Sequence, residues 1–210
     1  MSALSETLAA AADAVRAQRE ELNRLDGVAG DGDLGITMTT AADALTAILP
    51  EIAALDLAPA LRRVGSELAR KAPSTSGTLV ATGFLRAGKA ASELPPDAGP
   101  VAVLAACIAA AATGIGERGK VALGDKTMLD ALVPASESLQ AAALSGDGLA
   151  TALQRAADAA HAGAEATKEM QAKVGRAGWL AERSQGNEDA GAHLIAVIFV
   201  AAANHVNQPG

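Results

Sequence analysis

Residues 101–117 have the sequence VAVLAACIAAAATGIGE, an apolar run in which alanine is the commonest residue. Alanine has the highest helix propensity, whereas strands favour β-branched and aromatic side chains. The rest of the chain keeps this composition: 50% of its 210 residues are hydrophobic, with one Trp, two Phe and no Tyr. The sequence therefore predicts an all-α fold of closely packed helices, and it excludes an all-β fold or a disordered chain.

Outward from this run, clusters of Gly, Pro, Asp and Ser divide the chain into helical segments joined by short breaks. The predicted helices cover approximately residues 5–25, 36–49, 58–71, 77–93, 101–117, 126–143, 148–173 and 193–205. No repeat, linker or shift in composition splits the chain, so we expect a single domain over residues 1–210. Short connections between eight or so helices predict an antiparallel bundle or closed barrel.

The net charge of the chain and the length of its apolar runs limit which partners the protein is expected to bind. Acidic residues outnumber basic ones 24 to 17, the net charge is −7, and no Lys/Arg cluster is present, which argues against nucleic acid and anionic membranes. The longest apolar runs, Val101–Thr113 and Leu194–Ala203, are shorter than the ~20 residues that span a bilayer. A lone cysteine, Cys107, indicates a small buried side chain in a reducing compartment. We expect a cytoplasmic protein that binds neither nucleic acid nor membrane.

Polar residues collect in the breaks between helices. Four of these segments are rich in glycine: LDGVAGDGDLGITM (25–38), STSGTL (74–79), GERGKVALGDKTM (116–128) and GRAGWLAERSQGNEDAGA (175–192). Alternate loops of an up-down bundle fall at the same end. The sequence therefore predicts a polar, glycine-lined pocket at one end of a rigid helical base.

The first loop carries three carboxylates, Asp26, Asp31 and Asp33, separated by glycines. Like charges this close favour a cation among them, and oxygen ligands suit Mg²⁺ or Ca²⁺. An EF-hand does not fit, because the twelfth position counted from Asp31 is Ala42 and not Glu. Magnesium binds through a few carboxylates and phosphate oxygens, so a nucleotide site fits better. The alternative is a solvated acidic turn without a metal.

The other loops each allow two interpretations. Ser74–Thr78 begins a predicted helix, where the N–H groups either bind phosphate or are simply capped; it is not a P-loop. Lys126 and Thr127 either contact phosphate or, with Asp125, form the start of a helix. Arg176 either neutralises charge on a transferring phosphoryl group or is an ordinary surface arginine.

Taken together and in this order, the motifs GDGDLGITM, STSGTL, GDKTMLDALVP and GRAGWLAERSQGNEDAGA resemble the nucleotide-binding L subunit, or L domain, of dihydroxyacetone kinases. The resemblance runs from about Leu22 to Ala192, and the chain has the length of a free-standing L subunit. Its most specific part is GDKTM followed by GRA-x-x-L-x-ER-S-x-G.

The resemblance implies a barrel of eight antiparallel helices with a nucleotide, ATP or ADP, and two Mg²⁺ ions at one end. Asp26, Asp31 and Asp33 would hold the metals, and Arg176 would act in catalysis with them. The substrate would be bound covalently, as a hemiaminal, by a histidine of a separate K subunit. The expected nucleotide contacts, from the resemblance and the loop chemistry together, are Leu34, Gly35, Ile36, Thr37, Thr75, Ser76, Gly77, Gly119, Thr127, Met128, Arg176, Asp189, Ala190 and Gly191.

The expected function is that of the nucleotide- and magnesium-binding subunit of a kinase that transfers a phosphoryl group from ATP to a hydroxyketone or ketose. The alternative is a subunit with permanently bound ADP that relays a phosphoryl group from a phosphotransferase-system protein. Leu34 stands where such subunits carry histidine, which favours ATP, and Thr78 stands where some relatives have proline. Two other readings remain: a nucleotide-loaded module that contacts a transcriptional regulator, and a helical bundle whose acidic loop binds Ca²⁺ without nucleotide.

Overall fold

Every regular element in the described part of the chain is helical, which confirms the all-α prediction. The computed structural model describes residues 2–175, 178 and 181–208, and of residue 181 only the backbone. The helices are α1 (Ala3–Ala17), α2 (Arg19–Ala29), α3 (Leu34–Ile52), α4 (Leu57–Lys71), α5 (Thr75–Glu93), α6 (Pro100–Gly119), α7 (Leu129–Ser145), α8 (Leu149–Ala166), α9 (Ala181–Ser184) and α10 (Ala190–Asn207), with a 3₁₀ turn at Thr167–Glu169.

Eight long helices pack side by side and form a closed ring. Helix α1 packs on α3, and α3 to α8 then pack in chain order, each on the next. Helix α8 packs on α10, and α10 packs on α1, which closes the ring. The short helix α2 lies outside this sequence of neighbours and contacts α3 and α10. The structure therefore confirms the predicted barrel of about eight helices.

Small side chains allow the helices to approach closely. Ala135, Ala152 and Ala160 are completely buried where α7 meets α8. A Cβ at Gly163 of α8 would lie 2.2 Å from the backbone oxygen of Asp130 on α7, so only glycine fits there. The alanine-rich, aromatic-poor composition is thus the composition of the helix interfaces. Cys107 is 5% exposed, and burial raises the pKa of its thiol, which confirms the interpretation as a small buried side chain.

Three features of the predicted helices at the N-terminal side are wrong. The helix predicted over residues 5–25 is two helices that meet at Gln18, whose N–H is shared between the carbonyls of Ala14 and Val15. The second of them, α2, continues to Ala29, so Asp26 lies in its last turn and not in a loop. Helix α3 continues through Pro50 to Ile52, because a proline this close to a helix C-terminus removes only one late hydrogen bond.

The helix predicted over residues 148–173 ends earlier, at Ala166, and is followed by the 3₁₀ turn. Thr167 is completely buried, and its hydroxyl donates to the carbonyl of Ala164 and accepts from the N–H of Asp189. Thr167 therefore ties the end of α8 to the start of α10.

Helices α6 and α10 are long and apolar enough to cross a membrane by length and composition alone. Each extends beyond the apolar run predicted from sequence. Core helices of soluble bundles pass the same test, and here α6 packs between α5 and α7, while α10 packs against α1, α7 and α8.

Candidate functional site

The described residues of the four polar segments lie at one end of the barrel, as predicted. The N–H of Asp189 before α10 donates to Thr167 Oγ1 at the end of α8. Helix α2, which leads into α3, contacts α9 and α10, and α3 contacts α5. A Cβ at Gly119, the last residue of α6, would lie 3.3 Å from the Leu79 side chain of α5. These contacts bring the start of α3, α5 and α10 and the end of α6 together.

Asp26 shapes the acidic loop between α2 and α3. Its Oδ2 accepts hydrogen bonds from the N–H groups of Gly32 (2.9 Å) and Asp33 (3.0 Å). Gly32 has a φ of +76°, a left-handed conformation that glycine adopts without steric cost. The loop therefore folds back over the last turn of α2, and Asp33 is placed directly before α3.

The fold brings Asp26, Asp31 and Asp33 together. Each offers one carboxylate oxygen, and these oxygens lie within 4.8 Å of one another. Asp31 and Asp33 are exposed, so an ion can reach them from solvent. A set of carboxylate oxygens that is open on one side fits a hard divalent cation which keeps water or phosphate ligands. That the three aspartates hold a metal stays a prediction.

Asn23 caps α3 from the preceding helix. Its Oδ1 accepts from the N–H groups of Gly35 (2.7 Å) and Ile36 (3.2 Å). Asp33 occupies the N-cap position but makes no capping bond with its side chain, so its carboxylate is not committed to the helix. A Cβ at Gly35 would lie 2.0 Å from the carbonyl oxygen of Arg19, so this close approach of α2 and α3 requires glycine.

These contacts limit what three of the predicted nucleotide residues, Leu34, Gly35 and Ile36, offer to a ligand. The amides of Gly35 and Ile36 are already bonded to Asn23. Leu34 is only 5% exposed and packs in the core with Met38, so its side chain faces away from the open end. The exposed side chain of Ile36 and the half-buried Thr37 are the parts of this turn that a ligand can reach.

The start of α5 has the predicted capping chemistry. Ser74 is the N-cap, and its Oγ accepts from the N–H of Gly77 at 2.9 Å. A Cβ at Gly77 would lie 2.0 Å from the carbonyl oxygen of Ala72. The amides of Thr75 and Ser76 stand in the first turn, where a helix offers no internal acceptor and the helix dipole favours an anion.

The loop between α6 and α7 is organised by a buried carboxylate. Asp130 is 2% exposed and accepts from the N–H groups of Gly124 (2.6 Å) and Thr127 (2.7 Å). Thr127 Oγ1 accepts from the N–H of Leu129, so this residue supports the start of α7. Met128 is 6% exposed and packs in the core.

Lys126 does not point toward a phosphate position. Its Nζ donates to the backbone carbonyls of Met170, Ser184 and Asn187, and its side chain is 4% exposed. The interpretation of this lysine as a phosphate ligand is therefore wrong, because its three donors are already used inside the protein.

Asp189 caps α10 and borders Met128. Its Oδ1 accepts from the N–H of Ala192 at 2.7 Å, and its own N–H donates to Thr167 Oγ1 at 2.8 Å. Burial raises the pKa of the Asp189 carboxyl to about 7, against the lowering effect of the Ala192 hydrogen bond. A Cβ at Gly191 would lie 3.2 Å from the Met128 Cβ, so two of the predicted nucleotide contacts, Met128 and Gly191, pack against each other. Arg176 lies outside the described residues.

Sequence reasoning missed three residues that build this end: Asn23, Asp130 and Thr167. Each is a polar residue in or beside a predicted helix. Asn23 and Thr167 form hydrogen bonds with backbone N–H groups that are distant in sequence, and Asp130 accepts from N–H groups of the loop before α7. Asp130 carries the one local signal, since it stands three residues after Thr127 at a helix start.

Known proteins are similar to this chain over most of its length. Residues 28–204 match the family model of the DAK2 domain. The chain is 38% identical over 193 residues to D-erythrulose kinase of Mycolicibacterium smegmatis, a match that covers 90% of this chain and 32% of that protein. It is 35% identical over 183 residues to the ADP-binding subunit DhaL of the PEP-dependent dihydroxyacetone kinase of Escherichia coli, covering 87% of this chain and 86% of that subunit.

A solved structure has the same fold. The dihydroxyacetone kinase from C. freundii in complex with AMP-PNP and Mg²⁺ superimposes with a TM-score of 0.76 at 30% identity, covering 97% of this chain and 34% of that one. The chain thus spans about a third of the erythrulose kinase and of the C. freundii enzyme, but most of the DhaL subunit. It belongs to the DAK2 domain family, the family of the nucleotide-binding L subunits of dihydroxyacetone kinases.

Proposed function

We propose that this protein is the nucleotide- and magnesium-binding component of a hydroxyketone kinase, and that it transfers a phosphoryl group from ATP to a substrate held on a K-type partner subunit. One observation carries the proposal: three carboxylate oxygens converge within 4.8 Å at the polar end of the barrel. Members of the same family are named kinases for dihydroxyacetone and erythrulose.

In this proposal Asp26, Asp31 and Asp33 hold two Mg²⁺ ions. The bound metal would supply charge neutralisation at the polyphosphate oxygens. The protein would hold the three carboxylates in position for the metal. Asp26 contributes to this, because its Oδ2 accepts hydrogen bonds from the N–H groups of Gly32 and Asp33 and so fixes the backbone of the loop. Preformed positioning of this kind is the main contribution a protein makes to phosphoryl transfer.

The nucleotide would lie across the remaining loops. The first-turn amides of Thr75 and Ser76 would support its phosphates through the dipole of α5. Gly119, Met128 and Gly191 would form an apolar wall, which fits the close packing of Gly191 on Met128. The other contacts proposed are Leu34–Thr37, Gly77, Thr127, Asp189 and Ala190, with Arg176 neutralising charge on the transferring group.

The substrate would come from a partner. The matched erythrulose kinase has about two-thirds of its length outside the match, which supports a K-type partner that carries the hydroxyketone. We place the protein in the cytoplasm, without nucleic acid or membrane as partner; its net charge of −7 supports this.

The phosphoryl donor separates two versions of the function. We favour ATP, because the buried Leu34 offers no polar side-chain group near the open end. The alternative is a permanently bound ADP that is rephosphorylated by a phosphotransferase-system protein. The erythrulose kinase and the ADP-binding subunit match at similar identity, 38% and 35%, so sequence identity does not separate the two versions.

The test is to denature the purified protein, identify any released nucleotide, and time its exchange against labelled ATP with Mg²⁺. A protein treated with EDTA serves as the control. An empty site or rapid exchange supports ATP as a consumed substrate. Stoichiometric ADP that resists exchange would replace that version with the relay. No affinity for either nucleotide would contradict both versions and leave a metal-binding bundle.

A further inference from the structure

The ammonium group of Lys126 is buried and fully used inside the protein. Its Nζ donates to the carbonyls of Met170 (3.0 Å), Ser184 (2.6 Å) and Asn187 (2.8 Å), and the side chain is 4% exposed. An ammonium carries three donors, so these bonds account for all of them. The backbone of Lys126 has a φ of +62°, a left-handed conformation that is uncommon for any residue other than glycine, Asn or Asp.

The three carbonyls belong to two separate stretches of chain. Met170 follows the 3₁₀ turn after α8, whereas Ser184 is the last residue of α9 and Asn187 lies between α9 and α10. Backbone bonds tie the same stretches together: the N–H of Gly186 donates to the carbonyl of Lys168, and the N–H of Lys173 donates to the carbonyl of Asp125. Lys126 is the side chain that joins both stretches to the α6–α7 loop.

The joined segments carry residues of the apolar wall of the proposed nucleotide site. Thr127 and Met128 directly follow Lys126, and Asp189 follows Asn187 by two residues. The Asp189 charge acts on Lys126, because it opposes the lowering of the lysine pKa by burial. Gly191, two residues after Asp189, packs on Met128. A displacement of Lys126 would therefore disturb the contact between Met128 and Gly191 within this wall.

We infer that Lys126 is a positioning residue, which fastens the stretch after α8 and the stretch before α10 to the α6–α7 loop and so keeps Met128 and Gly191 in contact within the apolar wall of the proposed site. Its effect on nucleotide affinity rests on the proposed function. Its effect on the backbone does not, because the three carbonyl contacts are properties of the folded chain.

The test compares Lys126→Met with Lys120→Met in the full chain. Methionine keeps most of the length of the lysine but removes all three donors. Lys120 is the matched control, since it lies in the same loop with a φ of +54° but is exposed. The measurements are MgADP affinity by calorimetry, Mn²⁺ affinity without nucleotide, and hydrogen exchange of the amides of Lys173, Gly186 and Asp189.

For Lys126→Met we expect MgADP affinity to fall about tenfold or more, with faster exchange at those three amides and unchanged Mn²⁺ affinity. Lys120→Met should match the unmodified protein in all three. Lys126→Arg, which keeps a buried cation with several donors, should recover part of the affinity. MgADP affinity and amide exchange that are unaltered in Lys126→Met would overturn the inference.

A measurement on the unmodified protein covers the case in which Lys126→Met does not fold. Nitrogen-15 NMR at neutral pH should show a slowly exchanging lysine ammonium signal that is absent from folded Lys126→Arg. Absence of that signal from the unmodified protein would contradict the contacts. If the unmodified protein binds no nucleotide, the proposed function fails, while the amide exchange and the ammonium signal still decide the role of Lys126.

Discussion

Aspartates at the polar end of the barrel act differently according to the hydrogen bonds they accept. Asp26 and Asp130 shape loops, and Asp189 caps α10. Asp33 stands at an N-cap without capping, because Asn23 has taken that role. The sequence predicts the acidic cluster, since spacing and glycines are visible in it. It does not separate these roles, because they depend on partners that only the folded chain brings near.

Asp189 should make the free energy of unfolding depend on pH. Its pKa is about 7 in the folded protein, against an ordinary value of 3.8. Between about pH 4 and pH 7 the folded state therefore binds a proton that the unfolded state has lost, so the stability linked to this group is lost as pH rises through that range. Asp189→Asn keeps a capping oxygen but does not titrate. We expect the free energy of unfolding of the unmodified protein, relative to Asp189→Asn, to fall from pH 5 to pH 7 and to level off above.

Paired urea titrations of the two proteins at pH 5, 6, 7 and 8 provide the measurement. The difference between them cancels groups that titrate in both proteins. A difference that is constant with pH, or that grows in favour of the unmodified protein as pH rises, would show that Asp189 is not protonated near neutral pH in the folded chain.

A helix boundary that a local sequence signal marks can be predicted from the sequence. A helix boundary without such a signal cannot. The position of Ser74 before Thr75-Ser76-Gly77 predicts the start of a helix, and the structure confirms that Ser74 caps α5. The break at Gln18 has no Gly or Pro to mark it. At the end of α8, Thr167 is hydrogen-bonded to Asp189, which is 22 residues away. A contact between residues so far apart in the chain leaves no local sequence signal.

The start of α3 is capped by Asn23 of the preceding helix α2, and this contact gives a second prediction. Asn23→Ala removes the acceptor for the amides of Gly35 and Ile36, and loss of a cap costs about 1 kcal/mol of stability. Because Asp33 is next to these amides, we also expect weaker Mn²⁺ binding by the acidic loop. Urea unfolding and Mn²⁺ titration measure the two effects.

Asn204→Ala is the control for this change, since Asn204 is exposed within α10. It should leave both quantities nearly unaltered. Equal stability and equal Mn²⁺ affinity in Asn23→Ala and the unmodified protein would show that Asn23 does not hold α3 in register with the acidic loop.

For the whole molecule, the sequence predicts the architecture better than the detail of the site. An alanine-rich chain with regular breaks leads to about eight helices, and alternation places the polar loops at one end. The same pattern leaves an antiparallel bundle and a closed barrel as alternatives; the resemblance to the family implies the barrel, and the packing of α10 on α1 confirms it. The buried contacts of Lys126, Asp130 and Thr167 cannot be predicted in this way, because long-range hydrogen bonds leave no periodic pattern in the chain.

The central claim is that this end of the barrel binds a nucleotide together with a divalent cation held by the three aspartates. The most direct measurement is calorimetric titration of ATP and ADP into the unmodified protein, Asp31→Ala and the control Asp97→Ala, each with Mg²⁺ and with EDTA. Asp31 and Asp97 are both exposed, and Asp97 lies in the α5–α6 connection at the opposite end. The account predicts one nucleotide site that needs Mg²⁺, is lost in Asp31→Ala with helical content unchanged, and is kept in Asp97→Ala. Nucleotide binding that survives both EDTA and Asp31→Ala, or no binding by the unmodified protein, would contradict it.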